Sequence, residues 1–285
     1  MSAPRPAPAP VAVPAQVAPL GLPVRQPEPA LAPEQAPAQA PPAYLLYQPA
    51  TLAPAGPVRL VVALHGMGGD GLGIAQPFFG LAESHGWLLA APTFDYGDWH
   101  DPIRVRSDDI AFGAALNALI ADVPRRSGRQ VLPGAFLIGF SRGAQLADRY
   151  AFFHPEHLAA VASLSAGTYT LPQPGGDLKG DGGQEPLLLP FGTADMPAWL
   201  GHPLDLNALR QVPFWLSVGA DDTNPADLPP QWDGLLGKTR VSRAQAFRKS
   251  LEAVGVKAKL AIIDGAKHEL TAAMAHGVDQ FLSGI

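Results

Sequence analysis

A serine with glycine two positions before it and two after it, Gly139-Phe140-Ser141-Arg142-Gly143, is the stretch of this sequence best suited to covalent chemistry. The apolar run Ala135-Phe136-Leu137-Ile138 ahead of it reads as a strand, and Ala144 to Tyr150 behind it reads as a helix. A serine at so tight a strand-to-helix turn takes a strained backbone conformation, and the small flanking residues keep other side chains away from it. Its hydroxyl then stands at a helix N-terminus, where partial positive charge favours a developing anion. A serine hydroxyl alone is a weak nucleophile, so a base and a group that orients the base must be found elsewhere in the chain.

Those partners have candidates in a definite order. Residues 59–64 read as a buried strand running into His65-Gly66-Met67-Gly68-Gly69. Residues 213–218 read as another strand, ending in Gly219-Ala220-Asp221-Asp222. A helix over 242–253 and a strand over 257–263 follow, and Asp264-Gly265-Ala266-Lys267-His268 then puts a histidine on a loop. With these landmarks in this order, the chain resembles the α/β-hydrolase superfamily over residues 44–285, and within it the small bacterial esterases and the polyester-depolymerase-like and feruloyl-esterase-like members. The resemblance implies a serine hydrolase of the carboxylic ester class, acting on a small-molecule or polymeric ester without a cofactor, with a serine peptidase of the same fold as the alternative and a noncatalytic binding domain as the further one. It implies Ser141 as nucleophile, His268 as base and Asp222 as orienting acid. The backbone N–H groups of Met67 and Arg142 would then form the oxyanion hole.

Each role has a rival. Asp221 adjoins Asp222, but the acid of similar hydrolases lies three residues after the turn glycine, which is Gly219 here. Asp195, in Gly192-Thr193-Ala194-Asp195, has the same spacing, but it would leave an extra strand before the histidine. His276 sits inside an expected terminal helix over 269–282, and His65 reads as a loop-shaping residue. Ser165 lacks a glycine two positions before it. Arg142 is large where a small or apolar residue is commoner. Its side chain either brings a cation to the acyl group or pairs with Asp148 or another acid. No pair of histidines has metal-ligand spacing, so no metal is expected.

The elements that must position these residues alternate. Strands at 44–47, 59–64, 87–90, 135–138 and 160–164 are interleaved with helices near 74–85 and over 108–123, the latter capped by Ser107. Such alternation predicts a mainly parallel central sheet with helices on both faces and a site at the C-terminal strand ends. Residues 168–210 break the pattern and read as a lid-like insertion. Phe191, Met196, Trp199 and Leu200 are expected near substrate, unless they anchor the insertion to the core. Trp99, on the loop after the third strand, is a candidate aromatic wall.

Composition narrows the alternatives. A chain of 285 residues that is 47% apolar can bury one sizeable core. A net charge of −5 argues against a nucleic-acid partner. No 18-residue apolar run exists, so no membrane span is expected. The absence of cysteine removes disulfides and thiol nucleophiles. Residues 1–43 are rich in proline and alanine and are expected to be disordered, since each proline removes an amide donor and fixes φ. Prolines interrupt every candidate for the apolar core of a signal peptide. A signal removed ahead of this tether would make the protein secreted or surface-bound, and a complete chain would make it cytoplasmic.

Overall fold

Seven strands form one sheet, and the five inner ones are almost wholly buried because their sequences are nearly continuous apolar runs, as a sheet covered on both faces requires, whereas the two edge strands are only partly buried. In the computed structural model, which describes residues 40–177 and 181–285, the seven are β1 (Tyr44–Tyr47), β2 (Leu60–Leu64), β3 (Leu88–Pro92), β4 (Ala135–Phe140), β5 (Leu158–Leu164), β8 (Phe214–Gly219) and β9 (Ala258–Ile263). A separate two-strand ladder joins β6 (Gly175–Gly176) to β7 (Glu185–Pro186). The expected disorder over 1–43 falls almost wholly outside the described residues.

The main sheet runs β1-β3-β2-β4-β5-β8-β9. Only β1 pairs antiparallel, through Tyr44 opposite Pro92, and every other neighbour is parallel. The strand that ends at the elbow, β4, is therefore central, where the sheet is most rigidly framed.

Nine α-helices are described: α1 (Gly71–Ala75), α2 (Phe79–His85), α3 (Pro102–Ser127), α4 (Arg142–Phe153), α5 (Met196–Leu200), α6 (Leu206–Leu209), α7 (Asp233–Leu236), α8 (Arg240–Ala253) and α9 (Ala272–Leu282). Every residue of α4 is buried. One apolar cluster packs α3, α4 and α8 against one sheet face, and a second places α1, α2 and α9 on the other.

Two helices differ from expectation. The helix near 74–85 is interrupted by a 3₁₀ turn over Gln76–Phe78, where Pro77 cannot supply a helical N–H. Helix α3 begins at Pro102 rather than Asp108. Asp101 is its cap, accepting from Ile103 N at 2.9 Å, and a proline suits the first helical position. Ser107 therefore lies within the helix, its hydroxyl donating to Arg104 O at 3.0 Å. Asp109 faces the interior and is fully buried.

Candidate active site

The turn from β4 into α4 holds Ser141 at φ 54° and ψ −115°, a left-handed conformation rare for a residue with a side chain. The glycines beside it are required by contact. A Cβ on Gly139 would collide with Gly143 O, and one on Gly143 would collide with Leu64 O at the end of β2. Ser141 N donates to Leu164 O at 2.8 Å, which ties the elbow to β5.

The loops after β8 and β9 are fitted to one another in a similar way. A Cβ on Gly219 would collide with Ala266 O, and Asp221 N donates to that same carbonyl at 2.9 Å. Ala220 N donates to Ile263 O at 2.9 Å. This lacing sets the side chain of Asp222 beside His268. His268 Nδ1–H donates to Asp222 Oδ2 at 2.8 Å, and Ser141 Oγ lies 2.9 Å from His268 Nε2. The ring of Phe140 stacks on His268 with centroids 5.3 Å apart. Asp222 is buried, while His268 stays partly open to solvent.

The rivals lie elsewhere. Asp221 is exposed. Asp195 accepts from Leu189 N at 2.7 Å and from Trp199 Nε1 at 2.8 Å, within its own insertion. His65 is buried, donates from Nδ1 to Gly66 O at 2.7 Å and accepts from Phe94 N at Nε2 at 2.9 Å. Burial holds its pKa below the usual histidine value. Ser165 also has a positive φ of 50°, but it is wholly buried.

A cleft of about 280 Å³ opens at the serine, lined by Met67, Trp99, Ser141, Arg142, Gln145, Gly167, Asp227, Arg240 and His268. Hollows of about 590 and 500 Å³ near Phe214 and Arg59 lie at the opposite, N-terminal ends of the strands, away from the serine. Trp99, the candidate aromatic wall, lines this cleft. Phe191, Met196 and Trp199 do not line this cleft. Met196 is fully buried in the main core. Phe191 packs on Trp232, with centroids 4.4 Å apart. Trp199 lies on the surface beneath Arg106. The insertion needs apolar anchors to sit on the sheet, and Phe191 and Met196 supply them.

The Arg142 side chain turns inward. Its Nη2 donates to Asp109 Oδ1 at 2.6 Å, and its guanidinium lies 4.9 Å from the Tyr96 ring centre. Arg149 takes the other oxygen of Asp109 at 2.7 Å. Of the two expectations for Arg142, the ion pair is the one seen, with Asp109 in place of Asp148. Asp148 instead accepts from Ser163 Oγ at 2.9 Å, and burial pushes its carboxyl well above the usual range.

Sequence reasoning missed Arg240, whose Nη1 donates to Asp222 Oδ1 at 2.6 Å. The Thr239-to-Ser242 capping box would have marked the start of α8, but no local pattern announces a partner 18 positions away.

Against the expected lack of metal-ligand groupings, His154, Glu156 and His157 bring ligand atoms within 4.8 Å of one another. They lie at the far end of α4, roughly 18 Å from the serine by helix rise. Their polar atoms are mutually engaged. Asn117 Nδ2 donates to His154 Nε2 at 3.0 Å, which leaves the His154 proton on Nδ1, 3.3 Å from Glu156 Oε1.

Among the described residues, no helix is long and apolar enough to cross a membrane. The sequence matches no protein-family model and no curated protein sequence. Its structure is similar to that of poly(aspartic acid) hydrolase-1 from Sphingomonas sp. KT-1, at 18% identity and a TM-score of 0.62, covering 84% of this chain and 92% of that one. It is also similar to LpqC, a poly(3-hydroxybutyrate) depolymerase from Bordetella parapertussis, at 21% identity and a TM-score of 0.61, covering 85% of each chain. Esterase PE8 is similar at 18% identity and a TM-score of 0.57, covering 86% of this chain and 100% of that one. Likeness at these identities concerns the fold, and with the sheet order and strand directions above it gives the conclusion that this chain has the α/β-hydrolase fold.

Proposed function

We propose that the protein is a serine hydrolase that cleaves carboxylic esters through an acyl-enzyme. The observation that carries this reading is the unbroken chain of hydrogen bonds from Ser141 through His268 to Asp222, at 2.9 and 2.8 Å, with the serine at a strained elbow. Ser141 Oγ bonds to the acyl carbon while its proton passes to His268 Nε2. The carbonyl oxygen becomes an oxyanion facing the backbone N–H groups of Met67 and Arg142, both on the cleft. Preorganised donors of this kind are worth about 3 kcal/mol each in the transition state. The alcohol leaves with the proton from Nε2. Water then repeats the sequence on the acyl-enzyme, releasing the acid and restoring the serine. Asp222 keeps the imidazole in the tautomer whose Nε2 faces the serine.

The small cleft with Trp99 on its wall favours a short acyl group or a polymer end over a long lipid chain. The esterase and the polyester depolymerase among the similar structures agree with ester chemistry. The test is hydrolysis of p-nitrophenyl esters from acetate to palmitate by wild type and Ser141→Ala. Turnover of the short esters is expected, with a loss on the order of 10⁶-fold in kcat for the variant. Failure of the wild type on every ester would reject the esterase reading and direct the search to peptide substrates.

A further inference from the structure

We infer that Arg240 is a positioning residue for the relay of Ser141, His268 and Asp222, an inference that rests on the hydrolase reading above. The Asp222 carboxylate is buried, with only 2% of its side chain accessible. A buried charge is tolerated only when paired and hydrogen-bonded. Asp222 divides its two oxygens: Oδ2 accepts from His268 Nδ1 at 2.8 Å and Oδ1 accepts from Arg240 Nη1 at 2.6 Å. Among the described residues, no other side chain or backbone N–H donates to this carboxylate. With one oxygen fixed by each partner, the carboxylate cannot rotate about its terminal torsion without breaking a charge-assisted bond, which is about twice as strong as a neutral one. Arg240 therefore decides which oxygen meets His268 and at what angle.

The guanidinium is held through its two terminal nitrogens, while its buried Nε has no hydrogen-bond partner among the described residues. Arg240 is the first residue of α8, directly after the Thr239 cap and its reciprocal bond with Ser242. Its Nη2 donates to Asp227 O at 3.3 Å, on the chain that follows Asp222. One turn later Arg243 fixes the same end of the helix. It donates to Gly167 O at 2.7 Å, Pro229 O at 2.8 Å and Gly237 O at 2.9 Å. The two arginines have separate tasks: Arg243 ties loops together, whereas Arg240 borders the cleft and touches the acid. A residue that merely braced the fold would have no need to meet Asp222 at the oxygen His268 leaves free.

The test uses the full chain with p-nitrophenyl acetate and compares wild type, Ser141→Ala, Arg240→Met and Arg240→Lys. Arg240→Met is expected to lower kcat by about 10²-fold, the size of effect that a misplaced catalytic group produces, with KM unchanged. Arg240→Lys, which keeps a cation and a donor, should restore part of the loss. The low-field proton resonance expected of His268 Nδ1–H in wild type should shift or broaden in Arg240→Met. Should Arg240→Met fail to fold, Arg240→Gln keeps an N–H donor without the charge and carries the same comparison. A wild type no faster than Ser141→Ala overturns the hydrolase reading and this inference with it. An active wild type matched in kcat and in the low-field resonance by the Met or Gln variant overturns this inference alone. A raised KM at unchanged kcat also overturns it, because Arg240 would then bind substrate instead of positioning Asp222.

Discussion

On one side of the cleft Ser141 is held by main-chain fit alone, whereas on the other the laced loops after β8 and β9 bring Asp222 and His268 together and side-chain charge then fixes the Asp222 carboxylate. The elbow works because Gly139 and Gly143 have no Cβ and because Ser141 N is tied to Leu164 O. The Asp222 carboxylate is fixed because a guanidinium occupies one of its oxygens and an imidazole the other. Main-chain fit demands particular residue types at fixed local spacing, so it is written in the sequence as glycines. Charge pairing joins residues far apart in the chain, so it leaves no local pattern. Asp109, which holds Arg142 and Arg149 behind Ser141, belongs to this second kind although it lies on the elbow's side.

The largest effect that would break this comparison is on the charged side. Asp222→Asn should lower kcat for a short ester by about 10⁴-fold through the wrong imidazole tautomer, while Asp195→Asn and Asp221→Asn leave kcat near wild type. Steady-state kinetics on the three variants checks this, and a large loss in Asp195→Asn would move the acid elsewhere.

On the main-chain side the expected damage is to stability. Gly143→Ala sets a methyl group against Leu64 O and should cost about 3 kcal/mol or more, with Tm falling by about 2–4 °C for each kcal/mol. Gly80→Ala is the control. It lies in α2 with nothing near its added Cβ, and it should gain up to about 1 kcal/mol from helix propensity. Thermal unfolding of both variants separates the close contact from the general cost of glycine.

The smallest effect concerns Asp148, a buried carboxyl in α4 with Ser163 as its hydrogen-bond partner and, among the described residues, no ion pair. Burial raises its folded pKa well above 3.8, so the folded chain keeps a proton that the unfolded chain releases. Stability is then fully present below about 3.8 and declines as pH rises through the window up to the folded value. Asp148→Asn keeps an acceptor for Ser163 and does not titrate. Its Tm should exceed that of wild type toward neutral and alkaline pH, with the gap closing in acid. Parallel Tm curves for the two proteins would contradict the raised pKa.

The same contrast explains what could be read from the sequence. The buried strands and the elbow follow from apolar runs and from glycines at fixed offsets, whereas Asp222 and His268 are singled out through the resemblance to the α/β-hydrolase superfamily. The start of α3 was legible in Asp101-Pro102 as a cap and a first-turn proline, but the apolar stripe beginning near Ile110 draws the boundary too late. Phe191 and Met196 sit in an aperiodic insertion, where an apolar residue carries no sign of which surface it meets. They pack inward because the insertion covers core that would otherwise face water. Trp99 reached the cleft because its loop follows β3 at the C-terminal edge of the sheet, a position that topology alone determines. Arg240 and Asp109 could not be read at all, since their partners lie on other elements.

The most direct test of the central claim is covalent capture. The wild-type chain is treated with a fluorophosphonate, digested, and mapped by mass spectrometry. The account predicts one adduct, on the peptide containing Ser141, abolished by Ser141→Ala and strongly slowed by Asp222→Asn. An adduct on any other serine, or labelling that persists in Ser141→Ala, would contradict it.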